Sequence, residues 1–155
     1  MSQPDVEFVE IDPASPAAQA AVGHYFAELG ERFPSGFDPV AYGTSSAAAD
    51  EHQRFVLATR DGTTIGCGAL RPLGDGVAEI KRMWVDPHAR GLGLGRRLLA
   101  HLESLAVDDG CRAIRMDTNA SLTEAISLYE RTGYRRIERY NDNPYAQVWF
   151  EKPLA

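Results

Sequence analysis

The 155-residue sequence predicts an α+β fold in three layers, αβα, around a mixed central sheet of about six to seven strands. Three observations carry this. Strand-like segments follow one another between residues 54 and 85 with turn signals between them, which builds an antiparallel meander. A strand, a glycine-rich loop, an amphipathic helix and another strand then occupy residues 77–118, which demands a right-handed crossover and a parallel pair. A second helix and two final strands place helices on both faces of one sheet. No repeat or low-complexity tract divides the chain, so residues 1–155 read as a single domain.

Residues 6–11 alternate apolar and polar, as a half-buried strand does. Ser15-Pro16 opens an alanine-rich helix to about residue 31, with Pro16 in the first turn, where its missing N–H is not needed. Residues 33–50 stay undecided: Pro34, Gly36, Pro39 and Gly43 punctuate them, and 47–49 fits a short helix or a loop. Residues 54–60 and 63–70 are strands joined by an Asp61-Gly62 hairpin turn. A turn over 72–76 leads to a strand at 77–85. Leu94, Leu98, Leu99, Leu102, Leu105 and Ala106 share one face of a helix over 91–107, closed by Gly110. A strand at 112–118 follows. Ser121 and Glu124 have the spacing of a capping box, opening a helix on which Leu122, Ala125, Ile126 and Tyr129 share a face and which Gly133 ends. Residues 134–140 and 146–152 are the last strands, joined by a turn at 141–144.

The most informative stretch joins the strand at 77–85 to the next helix. Gly91, Gly93 and Gly95 stand among Arg90, Arg96 and Arg97. Free N–H groups and the positive end of the helix dipole make such a junction a phosphate cradle. A dinucleotide fingerprint, G-x-G-x-x-G, would need glycine at position 96 or 98, where Arg96 and Leu98 stand. A Walker loop needs a Gly-Lys pair, and the chain has none. What remains is R-x-x-G-x-G: Arg90, Gly93 and Gly95.

That loop resembles the coenzyme A pyrophosphate loop of the GNAT superfamily, the GCN5-related N-acetyltransferases. The stretch Asn119 to Tyr134, ending L-Y-E-R-T-G-Y, resembles the second signature of that family. One helix and one strand separate the two signatures, as the family requires, and together they cover about the C-terminal half of the chain. The resemblance implies the GNAT fold and an N-acetyltransferase that carries an acetyl group from acetyl-coenzyme A directly to a primary amine of a small molecule or peptide. It implies that backbone N–H groups of Arg90, Gly91, Leu92, Gly93, Leu94, Gly95 and Arg96 hold the pyrophosphate. The pantetheine arm would run along the strand end at Met83, Trp84 and Val85, where two parallel strands splay apart. Asn119 matches the family's asparagine and would contact the pantetheine or order its loop; a plain turn residue is the rival reading.

Tyr129 matches the family's tyrosine, implying a general acid for the departing thiolate; a phenol, with an ordinary pKa of ~10, is protonated near neutrality. By spacing alone it reads as a core aromatic, and the resemblance is what turns the reading toward function. Tyr134, opening the next strand, reads as structural. Glu79 is the candidate general base, directly or through water, because a carboxylate in a buried strand is suited to accepting a proton; the rival reading pairs it with Lys81, Arg82 or Arg115. Arg82, Arg96 and Arg97 are further candidates for phosphate contact, with Arg96 best placed. The 141–145 turn and residues 31–43 are expected to border the acceptor pocket, with Asp142, or a tip residue near Phe33 and Phe37, as the candidate to bind a cationic amine; a solvated turn is the rival reading.

The net charge of −6 argues against nucleic acid as a partner and faintly favours a cationic acceptor. Cys67 and Cys111 read as two buried thiols, and the four histidines show no metal-ligand spacing, so no metal is expected. No apolar run is long enough to span a membrane, and the first residues lack the regions of a signal peptide, so a cytoplasmic protein is expected. A homodimer stays open. So do other readings: a catalytically silent acyl-coenzyme A-binding module, a donor with a longer acyl chain, and a different nucleotide on the same loop.

Overall fold

The protein is described here by a computed structural model, which covers residues 6–34, 36–37, 53–89 and 93–154. Residues 47–49 and the loop residues Arg90, Gly91 and Leu92 lie outside them. Seven strands form one sheet: β1 (Glu7–Ile11), β2 (Arg54–Arg60), β3 (Thr63–Gly74), β4 (Val77–Val85), β5 (Ala113–Thr118), β6 (Arg135–Ile137) and β7 (Val148–Pro153). Their order is β1-β2-β3-β4-β5-β7-β6. β4 and β5 pair in parallel and all other neighbours are antiparallel. Among the described residues the α-helices are α1 (Pro16–Arg32), α2 (Leu94–Asp108) and α3 (Thr123–Arg131).

Each face of the sheet is covered by the apolar stripe of a helix. α2 buries Leu94, Leu98, Leu99, Leu102 and Ala106, and its leucines pack with Ile80, Ile114, Met116 and Phe150 of the strands. α1 lays Ala18, Ala21 and Val22 on Phe55, Leu57, Cys67 and Trp84 of the opposite face. Burying each larger side chain contributes about 1.5–3 kcal/mol. The small residues of β3 set the layer spacing: a Cβ on Gly68 would lie 2.7 Å from Leu102 Cδ1, and one on Gly66 would lie 2.9 Å from the Trp84 carbonyl oxygen. Ser15 caps α1 by accepting from the Ala18 N–H at 3.3 Å.

Three expectations are corrected. β3 runs on to Gly74, past Pro72, and the turn contracts to Asp75-Gly76, whose φ values of 56° and 76° suit a two-residue hairpin. No capping box forms at α3. Its N-cap is Leu122, Ser121 Oγ donates instead to Asn119 Oδ1, and the Glu124 carboxylate pairs with Arg32 of α1 at 2.7 Å. The last two strands are shorter than the pattern suggests, because Asn141 and Asn143, in the segment between them, hydrogen-bond to side chains rather than to a strand ladder. Both cysteines are free. Burial pushes the Cys67 thiol up to about 12, and its Sγ donates to the Arg82 carbonyl. Among the described residues no helix is long and apolar enough to cross a membrane.

Candidate active site

The parallel pair at the centre of the sheet is short. β4 and β5 pair only where Val77, Ala78 and Glu79 face Ala113, Ile114 and Arg115. Beyond that point β4 stays with β3 as far as Val85, and β5 stays with β7 as far as Thr118. The two strands diverge, and among the described residues no strand pairs with the facing edge of β4 there. A bulge in β4 deepens the opening: three steps from Trp84 to Lys81 oppose two from Cys67 to Ala69. Arg82 takes up the extra residue with φ of 55°, a left-handed conformation that costs a side-chain-bearing residue free energy and is often found beside functional sites. Its guanidinium is buried over the Phe26 ring of α1.

Two joined cavities occupy this opening. The larger, about 470 Å³, passes between α1 and α3 to the start of α2. Met83, Trp84, Val85, Gly93, Leu94, Gly95, Arg96 and Tyr129 are on its walls. The smaller, about 50 Å³, lies further into the opened sheet, with Lys81, Asp117, Asn119, Asn143 and Tyr145 on its walls. Met83, Leu122 and Tyr129 belong to both.

The described glycines of the loop do different jobs. Gly93 is the N-cap of α2 with φ of 66°, and a Cβ there would meet nothing within 4 Å; the space beside it is the large cavity. The N–H groups of Leu94, Gly95 and Arg96 fall in the first turn and have no intrahelical acceptor. Gly95 permits close packing, since a Cβ would lie 3.2 Å from Leu128 of α3. Of the three candidate arginines, Arg96 lies on the cavity wall, Arg97 stacks over Phe8, and Arg82 is held in the bulge.

Tyr129 is 7% exposed, edge-on to Phe150 at 5.6 Å and tilted to Tyr134 at 5.9 Å. It is thus a core aromatic and a cavity-wall residue together. Tyr134 is turned away, donating to Glu103 Oε2 at 2.8 Å. The Asn119 amide is engaged at both ends: Nδ2 donates to the Tyr145 carbonyl at 2.8 Å, and Oδ1 accepts from the Ser121 N–H at 2.9 Å. That ties the start of the α3 signature to the segment before β7. The Phe33 and Phe37 rings pack tilted against Tyr145 at 5.5 and 4.9 Å, so an aromatic wall joins the end of α1 to that segment.

Glu79 is 1% exposed and is not on the wall of either cavity. Its chief ionic partner, Arg71 at 2.9 Å on β3, is not one the sequence suggests, and Lys81 stands at 3.9 Å. Arg115 pairs instead with Glu151 at 2.8 Å. The Tyr140 hydroxyl also donates to Glu79. Asn141 Nδ2 lies between two carboxylates, 3.3 Å from Glu79 and 2.5 Å from Asp117. Burial lowers the pKa of Lys81, which the Glu79 charge partly offsets. Asp117 was missed by sequence reasoning. The available signal was the alternation of β5, which puts Met116 in the α2 core and Asp117 on the other face at the diverging end. Among the described residues no cluster of His, Cys, Asp and Glu is arranged to hold a metal ion.

The chain is similar to known proteins over most of its length. The Acetyltransferase (GNAT) family matches residues 19–134. An IAA acetyltransferase of Azospirillum brasilense is 32% identical, over 97% of this chain and 99% of its own length. A GNAT-family acetyltransferase of Staphylococcus aureus superposes with a TM-score of 0.83 at 16% identity, over 97% of this chain and all of that one. A GNAT-family acetyltransferase of Elizabethkingia anophelis, solved with acetyl-CoA bound, superposes with a TM-score of 0.67 at 17% identity, over 96% of this chain and 98% of that one.

Proposed function

The chain belongs to the GNAT acetyltransferase family, and on that premise we propose that it transfers an acetyl group from acetyl-coenzyme A directly to a primary amine of a small molecule or peptide. The observation that carries the reading is the opening between β4 and β5, with the start of α2 at one end and Tyr129 within it. The residues present fit coenzyme A. A cavity of about 470 Å³ is of ligand size. Gly93 leaves its mouth clear of a side chain, and the first-turn N–H groups of α2, together with Arg96, offer donors and positive charge to a pyrophosphate. Arg90, Gly91 and Leu92 complete that loop in the proposal. The unpaired edge of β4 at Met83, Trp84 and Val85 offers main-chain groups to an extended arm, as an added strand would. Asn119 holds the loop that faces it.

When bound, acetyl-coenzyme A supplies an activated thioester. Tyr129 protonates the departing sulfur. Glu79, whose carboxylate is sealed from both cavities, accepts from Asn141 and so fixes that amide at the far end of the opening. The smaller cavity, at about 50 Å³, has room for an acetyl group and an attacking amine rather than a long acyl chain. Asp117 and the 141–145 segment border this end, and they make the protein's contribution to the choice of acceptor.

The test is thiol release from acetyl-coenzyme A across a panel of alkylamines, amino acids and short peptides. The proposal expects release that requires an amine and saturates with it. No release with any amine contradicts it.

A further inference from the structure

We infer that Asp117, rather than Glu79, is the group that takes the proton from the acceptor ammonium. The inference rests on the proposed acetyl transfer and names the residue that touches the amine. Asp117 is on the wall of the small cavity beside Met83 and Tyr129, whereas Glu79 is 1% exposed and walled off. Two amides orient the Asp117 carboxylate: Asn141 Nδ2 donates to one oxygen at 2.5 Å and Asn143 Nδ2 to the other at 3.0 Å. Each oxygen keeps a second lone pair for a proton. Asn141 also donates to Glu79, so the buried carboxylate acts on Asp117 through that side chain and is a positioning residue.

The step balances. The ammonium gives one proton to Asp117. The neutral nitrogen then forms the C–N bond as the C–S bond breaks and the sulfur takes the Tyr129 proton. The nitrogen's second proton restores the phenol, and Asp117 returns its proton to solvent, so each turnover releases one proton.

Burial pushes the Asp117 carboxyl above the usual carboxylate range; the Asn141 hydrogen bond pulls it back, the Glu79 charge raises it, and Lys81 and Asn143 lower it. Among the described residues the other charged or titratable groups at this end are Arg82 in the β4 bulge, Tyr25 of α1, Tyr129 of α3, and Tyr140 and Tyr145 before β7. A base works only when ionised. The rate should therefore rise with pH through an acid limb placed higher than an ordinary aspartate gives.

The experiment is the pH profile of kcat/KM with the fastest alkylamine of the panel, together with coenzyme A affinity and thermal unfolding. Asp117→Asn should lower the rate by ~100-fold and abolish the acid limb, with coenzyme A binding retained. Glu79→Gln should lower the rate and keep a limb. Asn143→Ala removes a donor to Asp117 and none to Glu79, so it should move the limb to higher pH; it decides the matter alone if Asp117→Asn does not fold. An acid limb unmoved by Asn143→Ala, or surviving in Asp117→Asn, overturns the inference. Absence of thiol release from the unsubstituted protein overturns the proposed acetyl transfer and this step with it, whereas release with an unmoved limb overturns this step alone.

Discussion

Tyr129 carries two demands on one side chain. Its ring is packed against Phe150 and Tyr134, and its residue forms part of both cavity walls. Tyr129→Phe keeps the ring and removes the proton. We expect kcat to fall about 100-fold or more with KM little changed, because a general acid acts in the transition state and contributes typically 10²–10⁴-fold. The unfolding midpoint should hold to within a few degrees. Steady-state kinetics check this, and an unchanged kcat would leave Tyr129 as a core residue alone. Glu79 shows the opposite arrangement. It was singled out in the sequence as a lone carboxylate in a buried strand, and it is buried, but Arg71, Tyr140 and Asn141 surround it. No spacing rule links Glu79 to Arg71 eight residues away; the antiparallel register of β3 and β4, which pairs the two directly, makes that contact.

At the level of elements, the glycines of β3 permit the close approach on which the site depends. A methyl on Gly66 meets a backbone carbonyl at 2.9 Å, whereas one on Gly68 meets a terminal methyl of the Leu102 side chain at 2.7 Å. A side-chain tip can rotate away and a carbonyl within a paired strand cannot. Gly66→Ala should therefore cost about 3 kcal/mol and Gly68→Ala about 1 kcal/mol, within the usual range for overpacking. Urea unfolding of both variants checks the order, and the reverse order would show that Leu102 has no alternative rotamer. Most elements were legible in the sequence. The bounds of β2 and β4 follow from apolar runs closed by Asp61-Gly62 and Asp86-Pro87, and α2 follows from its leucine stripe. The bulge was not legible, because arginine is not a residue that marks a left-handed conformation, yet Arg82 adopts one. Nor was the failure of the capping box, since Ser121 and Glu124 have the right spacing and tertiary partners, Asn119 and Arg32, claim them.

On the scale of the whole molecule, two halves of the sheet are pulled apart at a parallel junction and a small ligand's space is left between them. The net charge is −6, yet on the walls of the large cavity Arg32, Arg96 and Arg131 outnumber Glu28 and Glu124, and Arg32 is paired with Glu124, so the local balance there is positive by one charge. The proposed donor end rests on a local signal, the glycine spacing around a helix start. The proposed acceptor end was readable only in part: the 141–145 turn is expected there from the sequence, but Asp117 joins Asn143 and Tyr145 only through the pairing of β5 with β7. The central claim, that coenzyme A is held at the α2 start and along the open edge of β4, is tested most directly by thermal unfolding with and without coenzyme A, for the unsubstituted chain and for Gly93→Phe. A ligand at about 100 times its Kd stabilises by about 2.7 kcal/mol, which for a chain of this size is roughly 5–10 °C in Tm. That rise is expected for the unsubstituted chain and none for Gly93→Phe, which should still unfold cooperatively. An equal rise in both proteins, or none in either, would contradict the claim.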